Sequence, residues 1–401
     1  MTRADEFRRG WRILLGSLIG IALGVSSLYF YSFGLFIKPM AAEFGWSRGA
    51  ASLGSLVGTL CAALISMQMG RLIDRFGSLP IALASMTLLG LGFLAHALLV
   101  SGLVTFLVIT GIMSLVTVGS TALPYSRLAV VAFDRARGLA LGIILAGSGI
   151  GAMVVPMTLV PFIAEEGWRA GYAALGLAAL AGILPVWLLL RGVDDPRASA
   201  RRVGVPIARL AASAAFRRLG IVFVLVSTAV LGTVVQFVPM LLERGIEPAR
   251  AGATASLIGL SAIVGRLAVG FLLDRAPPER VAACLFAIAA LGIGSLAFAD
   301  PAFVMPGAII AGLAVGAEVD LLAFLTARYF PKPLFAEVNG ALYALFLLGA
   351  AIGPVLSGAL YDLTGGYTVS FTVAAAMLAL AAATIVQSFT FDALTNEARC
   401  P

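Results

Sequence analysis

Long apolar segments are the feature of this sequence that most limits how it can fold. Runs of roughly 20 residues or more, with very few charges, recur from residue 12 to about residue 390. Each run is long enough for a helix to cross a bilayer, which takes about 20 apolar residues. Hydrophobic residues make up 61% of the chain and charged residues 12%, whereas a soluble domain is only about half apolar. The sequence therefore predicts a polytopic membrane protein.

The apolar runs divide into twelve predicted spans, at residues 12–37, 49–69, 80–100, 104–132, 138–163, 171–191, 217–242, 251–272, 281–299, 303–328, 338–361 and 370–390. We expect each span to be an α-helix, because lipid offers no partner to backbone N–H and C=O groups. The predicted fold class is an all-α membrane protein with twelve transmembrane helices in two six-helix bundles. The expected domains are a first bundle at 1–191, a cytoplasmic linker at 192–216 and a second bundle at 217–401.

The positive charges predict an orientation. Of the 27 Lys and Arg residues, 20 fall in the N-terminal tail, alternate loops, the central linker and the C-terminal tail, and only five fall in the opposite loops. Because Lys and Arg concentrate on the cytoplasmic side of a membrane, both termini are expected in the cytoplasm, in a cell membrane and most simply a bacterial inner membrane. This bias also accounts for the net charge of +7 without a nucleic-acid partner.

The two halves of the chain repeat one another. The segment "GRLIDRFG" (70–77) ends the second span and "GFLLDR" (270–275) ends the eighth. Three residues of the first half recur 198 positions later, namely Gly142 as Gly340, Gly151 as Gly349 and Pro156 as Pro354. Correspondence at a constant offset indicates a duplicated six-helix unit. Parallel repeats of this kind, with the substrate site near the bilayer midplane, are typical of rocking transporters.

Several motifs carry a resemblance to a known family over almost the whole chain. The loop segment at 70–77 and its echo at 270–275 resemble the major facilitator superfamily of transporters. Finer similarity to its monocarboxylate transporter and oxalate/formate antiporter branch lies in "YSFGLFIKPMAAEFGWSRGAAS" (31–52), "FDRARGLALGIILAGSGIG" (133–151), "GWRAGYAALG" (167–176) and "GR" (265–266). The resemblance implies a carrier that works by alternating access and performs no enzymatic reaction.

The loop motif predicts a gate on the cytoplasmic side. Glycines at its ends let helices approach closely and turn, and Asp74 is placed to cap a helix or to pair with a basic residue of the next cytoplasmic loop. In the family such contacts keep that side closed. The resulting gate candidates are Gly70, Asp74, Arg75, Arg135, Arg137, Asp274 and Arg275. The alternative is that the arginines of the motif only follow the positive-inside bias.

Four charged residues fall within predicted spans: Arg127, Arg266, Glu318 and Asp320. An ionisable residue at membrane depth is by default a functional hypothesis, although two positive and two negative charges could also form a structural network. By resemblance, Arg266 matches the arginine that holds the substrate carboxylate, which a guanidinium fits bidentately. The chain departs from the family at two positions. Ala262 replaces the aspartate of proton-coupled members, and Phe346 replaces the lysine of oxalate antiporters.

Glu318 and Asp320 are the candidates for proton coupling. At 100° per residue the two carboxylates point about 200° apart on a helix, so they cannot both face one cavity. By resemblance, Asp320 falls on a substrate-facing position, and we expect it to pair with Arg266 or Arg127 in the empty carrier and to be protonated during transport. Glu318 is expected to pair with a polar group inside the second bundle, and its being the functional carboxylate instead remains open.

Further substrate-binding candidates are Arg127, Tyr31, Ser148 and Tyr125. Tyr31 stands where animal monocarboxylate transporters have a substrate-linked lysine, and Ser148 matches a substrate-facing serine of the family. Tyr125 follows Pro124 at an expected distortion of the fourth span. For each of these, helix packing is an equally good interpretation.

The sequence thus favours a proton-coupled secondary carrier of small organic anions, most simply monocarboxylates. A proton-antiport exporter of drugs or metabolites and an organic-anion exchanger are alternatives from the same class. A membrane enzyme is a third, but the sequence shows no nucleophile cluster, metal-ligand spacing or phosphate-binding loop, so we expect no catalytic residue, metal or cofactor. The expected partners are the organic anion, protons and the lipid bilayer, with the carrier acting as a monomer.

Overall fold

The computed structural model describes residues 3–134, 136–193, 213–273, 275–298, 300–330 and 334–386. Regular structure in these ranges is helical throughout, with fifteen α-helices and two short 3₁₀ segments. The α-helices are α1 (Arg3–Ala22), α2 (Val25–Leu28), α3 (Phe33–Phe44), α4 (Arg48–Phe76), α5 (Ser78–Leu99), α6 (Leu103–Thr117), α7 (Ala122–Ala132), α8 (Arg137–Ala181), α9 (Ile183–Leu190), α10 (Ala214–Glu243), α11 (Pro248–Leu273), α12 (Pro278–Ser295), α13 (Val304–Tyr329), α14 (Phe335–Thr364) and α15 (Thr368–Val386).

The described helices confirm the predicted number of membrane crossings. Eleven apolar segments of the described chain are long enough to cross a bilayer. One of them, Leu139–Leu190, has 52 residues, which is far more than one crossing needs. Gly167 interrupts it with φ 85° and ψ 166°, a conformation that glycine adopts at little cost. This break divides the segment into the predicted fifth and sixth spans and brings the total to twelve.

Two spans that were predicted as continuous helices are broken in the structure. The first span consists of α1, α2 and α3, and the fourth consists of α6, the 3₁₀ segment Val118–Ser120 and α7. The breaks meet, since the Val25 amide donates to Ser120 Oγ at 3.2 Å. A Cβ on Gly24 would lie 2.1 Å from the Ser120 carbonyl oxygen. Irregular backbone is tolerated at membrane depth where protein buries it. Composition alone does not predict that the two helix breaks pack against each other.

The chain forms two compact units. Unit 1 comprises Met1–Ala200 and Val235–Leu260, so the adjoining ends of α10 and α11 belong to it. Gln236 Nε2 donates to Ser52 Oγ at 3.1 Å, and Arg48 forms an ion pair with Glu243. The apolar interior of unit 1 centres on the fully buried rings of Tyr125 and Phe133.

Unit 2 comprises Arg201–Val234 and Ser261–Pro401. Within it α12 packs extensively against α15 and α13, and the fully buried rings of Phe223, Phe286 and Phe371 fill the interior. The predicted bundles at 1–191 and 217–401 follow the sequence repeat, and that division stays a prediction. Most of the predicted linker at 192–216 lies outside the described residues.

Candidate functional site

The candidate site of unit 2 lies where α11 crosses α13. Two glycines put the backbones of these helices in direct contact. A Cβ on Gly265 would lie 2.7 Å from the carbonyl oxygen of Leu313, and a Cβ on Gly316 would lie 2.0 Å from the carbonyl oxygen of Ala262. Real Cβ atoms do not approach an oxygen so closely, so a larger residue at either position must push the helices apart. The absence of a side chain at Gly316 thus lets the backbone of α11 pack directly against α13.

This crossing holds Arg266 against Asp320. Arg266 Nε lies 3.3 Å from Asp320 Oδ2 and also 3.3 Å from the carbonyl oxygen of Gly316. The two side chains keep 27% and 32% of their surface exposed, so protein does not fully enclose the pair. Pairing with Arg266 is one of the two arrangements that the sequence predicts for Asp320. The part of Asp320 in transport stays a prediction.

Glu318 lies on the opposite side of α13 from the ion pair. It is only 3% exposed, which agrees with the helix geometry that separates it from Asp320. Its Oε2 has no hydrogen-bond partner in the described part of the chain, so the polar partner expected there does not reach this atom. Burying a carboxyl group with an unpaired oxygen is costly, and this sets the environment of Glu318 apart from that of Asp320.

Among the gate candidates of unit 1, Asp74 has a charged partner, the substrate-binding candidate Arg127. Arg127 Nη1 lies 2.6 Å from Asp74 Oδ1, so α7 contributes the basic partner that the cytoplasmic loop was expected to supply. Gly70 and Arg75 lie in the same last turns of α4, and the guanidinium of Arg75 stacks over Phe76 at 5.2 Å. In this structure the loop motif therefore holds the Arg127 guanidinium, and a contact between Arg127 and substrate stays a prediction.

The remaining gate candidates are only partly described. Arg275 Nη1 donates to the Phe271 carbonyl oxygen at 3.2 Å, and its guanidinium stacks 3.5 Å above the Phe271 ring. Arg135, Asp274 and the side chain of Arg137 lie outside the described residues. Within the echo at 270–275, Asp274 is the residue that lies outside the described part of the chain.

The smaller substrate candidates have packing contacts. Tyr125 is fully buried, and its hydroxyl lies 3.5 Å from the Met86 sulfur. Ser148 Oγ donates to the Leu145 carbonyl oxygen of its own helix at 2.8 Å. Tyr31 packs edge-on against Phe30, with ring centroids 5.1 Å apart. These contacts account for the residues without a ligand, and their role in binding stays a prediction.

Two aromatic residues of unit 2 that sequence reasoning did not select as ligands lie near the carboxylates of α13, Phe324 near Asp320 and Tyr343 near Glu318. Phe324 lies one helical turn after Asp320 on α13 and is exposed. Tyr343 of α14 is 39% exposed and stacks on Phe346 with ring centroids 5.7 Å apart and planes 9° apart. The spacing of four residues from Asp320 could have indicated Phe324. The position of Tyr343 depends on how α14 packs, for which the sequence carries no local signal.

Comparison with known proteins bears on the family and the fold of the chain. The Major Facilitator Superfamily profile matches residues 18–317 and 245–399. The chain is 26% identical to monocarboxylate transporter 11 of Homo sapiens over 92% of this chain and 81% of that protein. It is 27% identical to the 3-(3-hydroxy-phenyl)propionate transporter of Escherichia coli K12 over 81% of this chain and 79% of that protein.

The fold is also that of solved transporters. A crystal structure of a mutant nucleoside transporter NupG superposes with a TM-score of 0.77 at 14% identity, covering 94% of this chain and 98% of that one. At such low identity the likeness concerns the fold alone. The family and the relatives are transporters and not enzymes. The repeated helices, the charged helix crossing and the matched profile lead to one conclusion: this chain is a multi-pass membrane protein that belongs to the Major Facilitator Superfamily and matches its monocarboxylate transporter branch.

Proposed function

We propose that this transporter is a secondary carrier of small organic anions, most simply monocarboxylates, with Arg266 as the anchor for the substrate carboxylate. The observation that carries the proposal is the partly exposed ion pair between Arg266 and Asp320 inside apolar helices. A guanidinium is always charged and binds carboxylates bidentately. It is therefore suited to exchange one carboxylate partner, Asp320, for another that arrives with the substrate.

The same pair supports proton coupling. When the substrate carboxylate engages Arg266, Asp320 loses its cation, and a carboxylate without a compensating charge at membrane depth favours protonation. One proton would then accompany each anion, so the loaded site carries the same net charge as the empty one. Uptake should accordingly be driven by an acidic exterior.

Of the competing functions, the charge of Arg266 disfavours the exporter of cationic drugs but not the anion exchanger. A cationic drug would have to bind beside Arg266, which repels it. An anion exchanger would use Arg266 in the same way but would not need Asp320 to titrate. Relatives named monocarboxylate transporters support the choice of substrate class, and at 26% identity they do not decide the acid.

The proposal includes a cytoplasmic gate and an orientation. Asp74, paired with Arg127 at 2.6 Å, would hold the cytoplasmic side, and the ion pair would break when that side opens. Both termini would lie in the cytoplasm, with a bacterial inner membrane as the location, because of the distribution of Lys and Arg.

Ligand-induced stabilisation tests the substrate class. Purified protein would be melted with short monocarboxylates, dicarboxylates, aromatic acids and lipophilic cations, because a ligand that binds only the folded state raises its apparent stability. We expect acids to stabilise the wild type. Arg266→Lys should weaken acid binding about tenfold or more, since a hydrogen bond to a charged group contributes about 1.5–3 kcal/mol. Arg280→Lys, an exposed arginine on α12, is the matched control. Stabilisation by cations alone would replace the anion carrier with the exporter.

A further inference from the structure

We infer that unit 1 binds an anionic phospholipid, such as phosphatidylglycerol, at the membrane surface, between the beginning of α1 and the end of α9. The headgroup would lie against three arginines, and the acyl chains would follow the leucines that come next on the same helix faces. This site is separate from the charged helix crossing, and the inference does not depend on what the carrier transports.

One face of α1 presents arginine, tryptophan and leucine in the order that suits a membrane surface. Arg8, Trp11, Arg12 and Leu15 are all exposed, and their spacing places them on one side of the helix. The predicted first span begins at residue 12, and tryptophan is enriched at the level of the lipid headgroups. Leu15 therefore lies on the hydrocarbon side of Trp11, and Arg8 lies on the water side.

The helix α9 repeats this order in the opposite chain direction. Leu184, Trp187, Leu188 and Arg191 are exposed and follow one another at the same spacing, and the predicted sixth span ends at residue 191. The guanidinium of Arg191 lies over the Trp187 ring, 5.0 Å from its centroid. This cation–π contact holds the charge next to the tryptophan, at the level of the headgroups.

Direct contacts between α1 and α9 bring the two faces together. Arg12 Nη2 donates to the Leu188 carbonyl oxygen at 2.7 Å. One turn further into the membrane, a Cβ on Gly16 would lie 2.8 Å from the Leu190 side chain, so the helices are also in contact there. We call the following residues the arginine–tryptophan patch: Arg8, Trp11, Arg12, Trp187 and Arg191.

The arginine–tryptophan patch has the charge and the donors that an anionic headgroup needs. Its three arginines outweigh Asp5, which lies one turn before Arg8, and together these four residues have a net charge of +2. The bond from Arg12 to Leu188 uses one of the five N–H donors of a guanidinium, and a phosphate accepts two such bonds side by side. A zwitterionic lipid brings a cation beside its phosphate, and the arginines repel that cation.

Tryptophan fluorescence tests the inference, because Trp11 and Trp187 lie in the patch. Full-length purified protein in detergent micelles would be titrated with phosphatidylglycerol or phosphatidylcholine carrying brominated acyl chains, which quench a tryptophan on contact. We expect half-maximal quenching at an at least tenfold lower concentration of phosphatidylglycerol. In the variant Trp11→Phe with Trp187→Phe, the difference between the two lipids should disappear.

Charge variants distinguish this site from a general attraction to a basic protein. Each arginine near an anionic headgroup contributes about fivefold to the affinity, or about 1 kcal/mol. Arg8→Gln with Arg191→Gln should therefore weaken phosphatidylglycerol more than tenfold and leave phosphatidylcholine unchanged. Arg8→Lys with Arg191→Lys keeps the charge and should keep the preference. Arg250→Gln with Arg280→Gln, at exposed positions of α11 and α12, removes the same charge elsewhere and should bind as the wild type does.

Three results would overturn the inference. The first is equal quenching of the wild type by the two lipids. The second is a preference for phosphatidylglycerol that survives in Arg8→Gln with Arg191→Gln or in the variant without the two tryptophans. The third is displacement of the lipid by millimolar inorganic phosphate, which would assign the arginines to a soluble anion. A preference that is lost only with the arginines and tryptophans of the patch supports the inference.

Discussion

At the scale of single residues, the two carboxylates of α13 illustrate how environment assigns different roles to similar groups. Asp320 shares Arg266 with a backbone carbonyl and keeps 32% of its side-chain surface exposed. Glu318, two residues earlier, is buried with one oxygen unpartnered. A group that gains and loses a proton during transport needs both access and a charge partner that can be withdrawn. The exposure and the partner of Asp320 therefore support it, and not Glu318, as the proposed coupling group.

Replacement of Asp320 by Asn should separate coupling from binding. The amide keeps the shape of the side chain but cannot take up or release a proton, so we expect uptake driven by a pH gradient to fall more than tenfold. Substrate exchange at equal pH should persist, because Arg266 stays available. Both can be measured with proteoliposomes. Asp300→Asn, at an exposed position between α12 and α13, should change neither, and undiminished pH-driven uptake in Asp320→Asn would reassign the coupling.

At the scale of helices, the site depends on how closely α11 and α13 approach each other. Helices in membranes associate through small residues that let their backbones touch, and Gly265 and Gly316 do this on the two sides of the crossing. The contact brings Arg266 Nε to the Gly316 carbonyl and to Asp320. The geometry of the ion pair therefore depends on glycine at positions 265 and 316.

A single methyl group at this crossing should disturb both stability and site. Gly316→Ala would put a Cβ 2.0 Å from the Ala262 carbonyl oxygen, and we expect a loss of about 1–3 kcal/mol from overpacking, together with weaker acid binding. Gly270→Ala is the matched control on α11, because a Cβ there meets nothing within 4 Å. The thermal midpoints of both variants in detergent would be compared with the wild type. Equal thermal midpoints of Gly316→Ala and the wild type would show that the two helices can move apart without loss of stability.

At the scale of the whole molecule, unit 1 contains ion pairs from distant parts of the chain. Asp74 and Arg127 join α4 to α7, while Arg48 and Glu243 join α4 to the end of α10. The Gln236 amide adds a buried hydrogen bond to Ser52. If the predicted division into two bundles holds, α10 belongs to the second bundle, and we expect the contacts between its C-terminal end and α4 to break during each transport cycle.

Locking one of these contacts should stop transport. In a variant without its native cysteines, Ser52→Cys with Gln236→Cys should be joined by a short, reducible bis-methanethiosulfonate cross-linker, and uptake should fall more than tenfold and recover on reduction. The native side chains meet at 3.1 Å, and the reagent spans the gap that the shorter cysteine side chain at position 236 leaves, which is too wide for a direct disulfide. Ser357→Cys with Ser370→Cys, a hydrogen-bonded pair between α14 and α15, is the control and should transport with or without the cross-link. Full activity of the cross-linked test pair would exclude this contact from the cycle.

The spans, their number and the charged residues within them could be predicted from the sequence alone. Hydropathy is a local property of each segment, and a segment of about 20 apolar residues is long enough to cross the bilayer as a helix. Helix periodicity likewise placed Glu318 and Asp320 on different faces. The partners of these charges were decided only by the tertiary structure. Arg127 meets Asp74, 53 residues away in the chain, and Arg266 meets Asp320 where α11 crosses α13. The helix breaks at Gly24 and at Val118–Ser120 were likewise decided by the tertiary structure. A broken helix is tolerated in a membrane only where another element satisfies its backbone. Composition determines that a helix crosses the bilayer, whereas contacts between helices far apart in the chain decide which of its side chains meet.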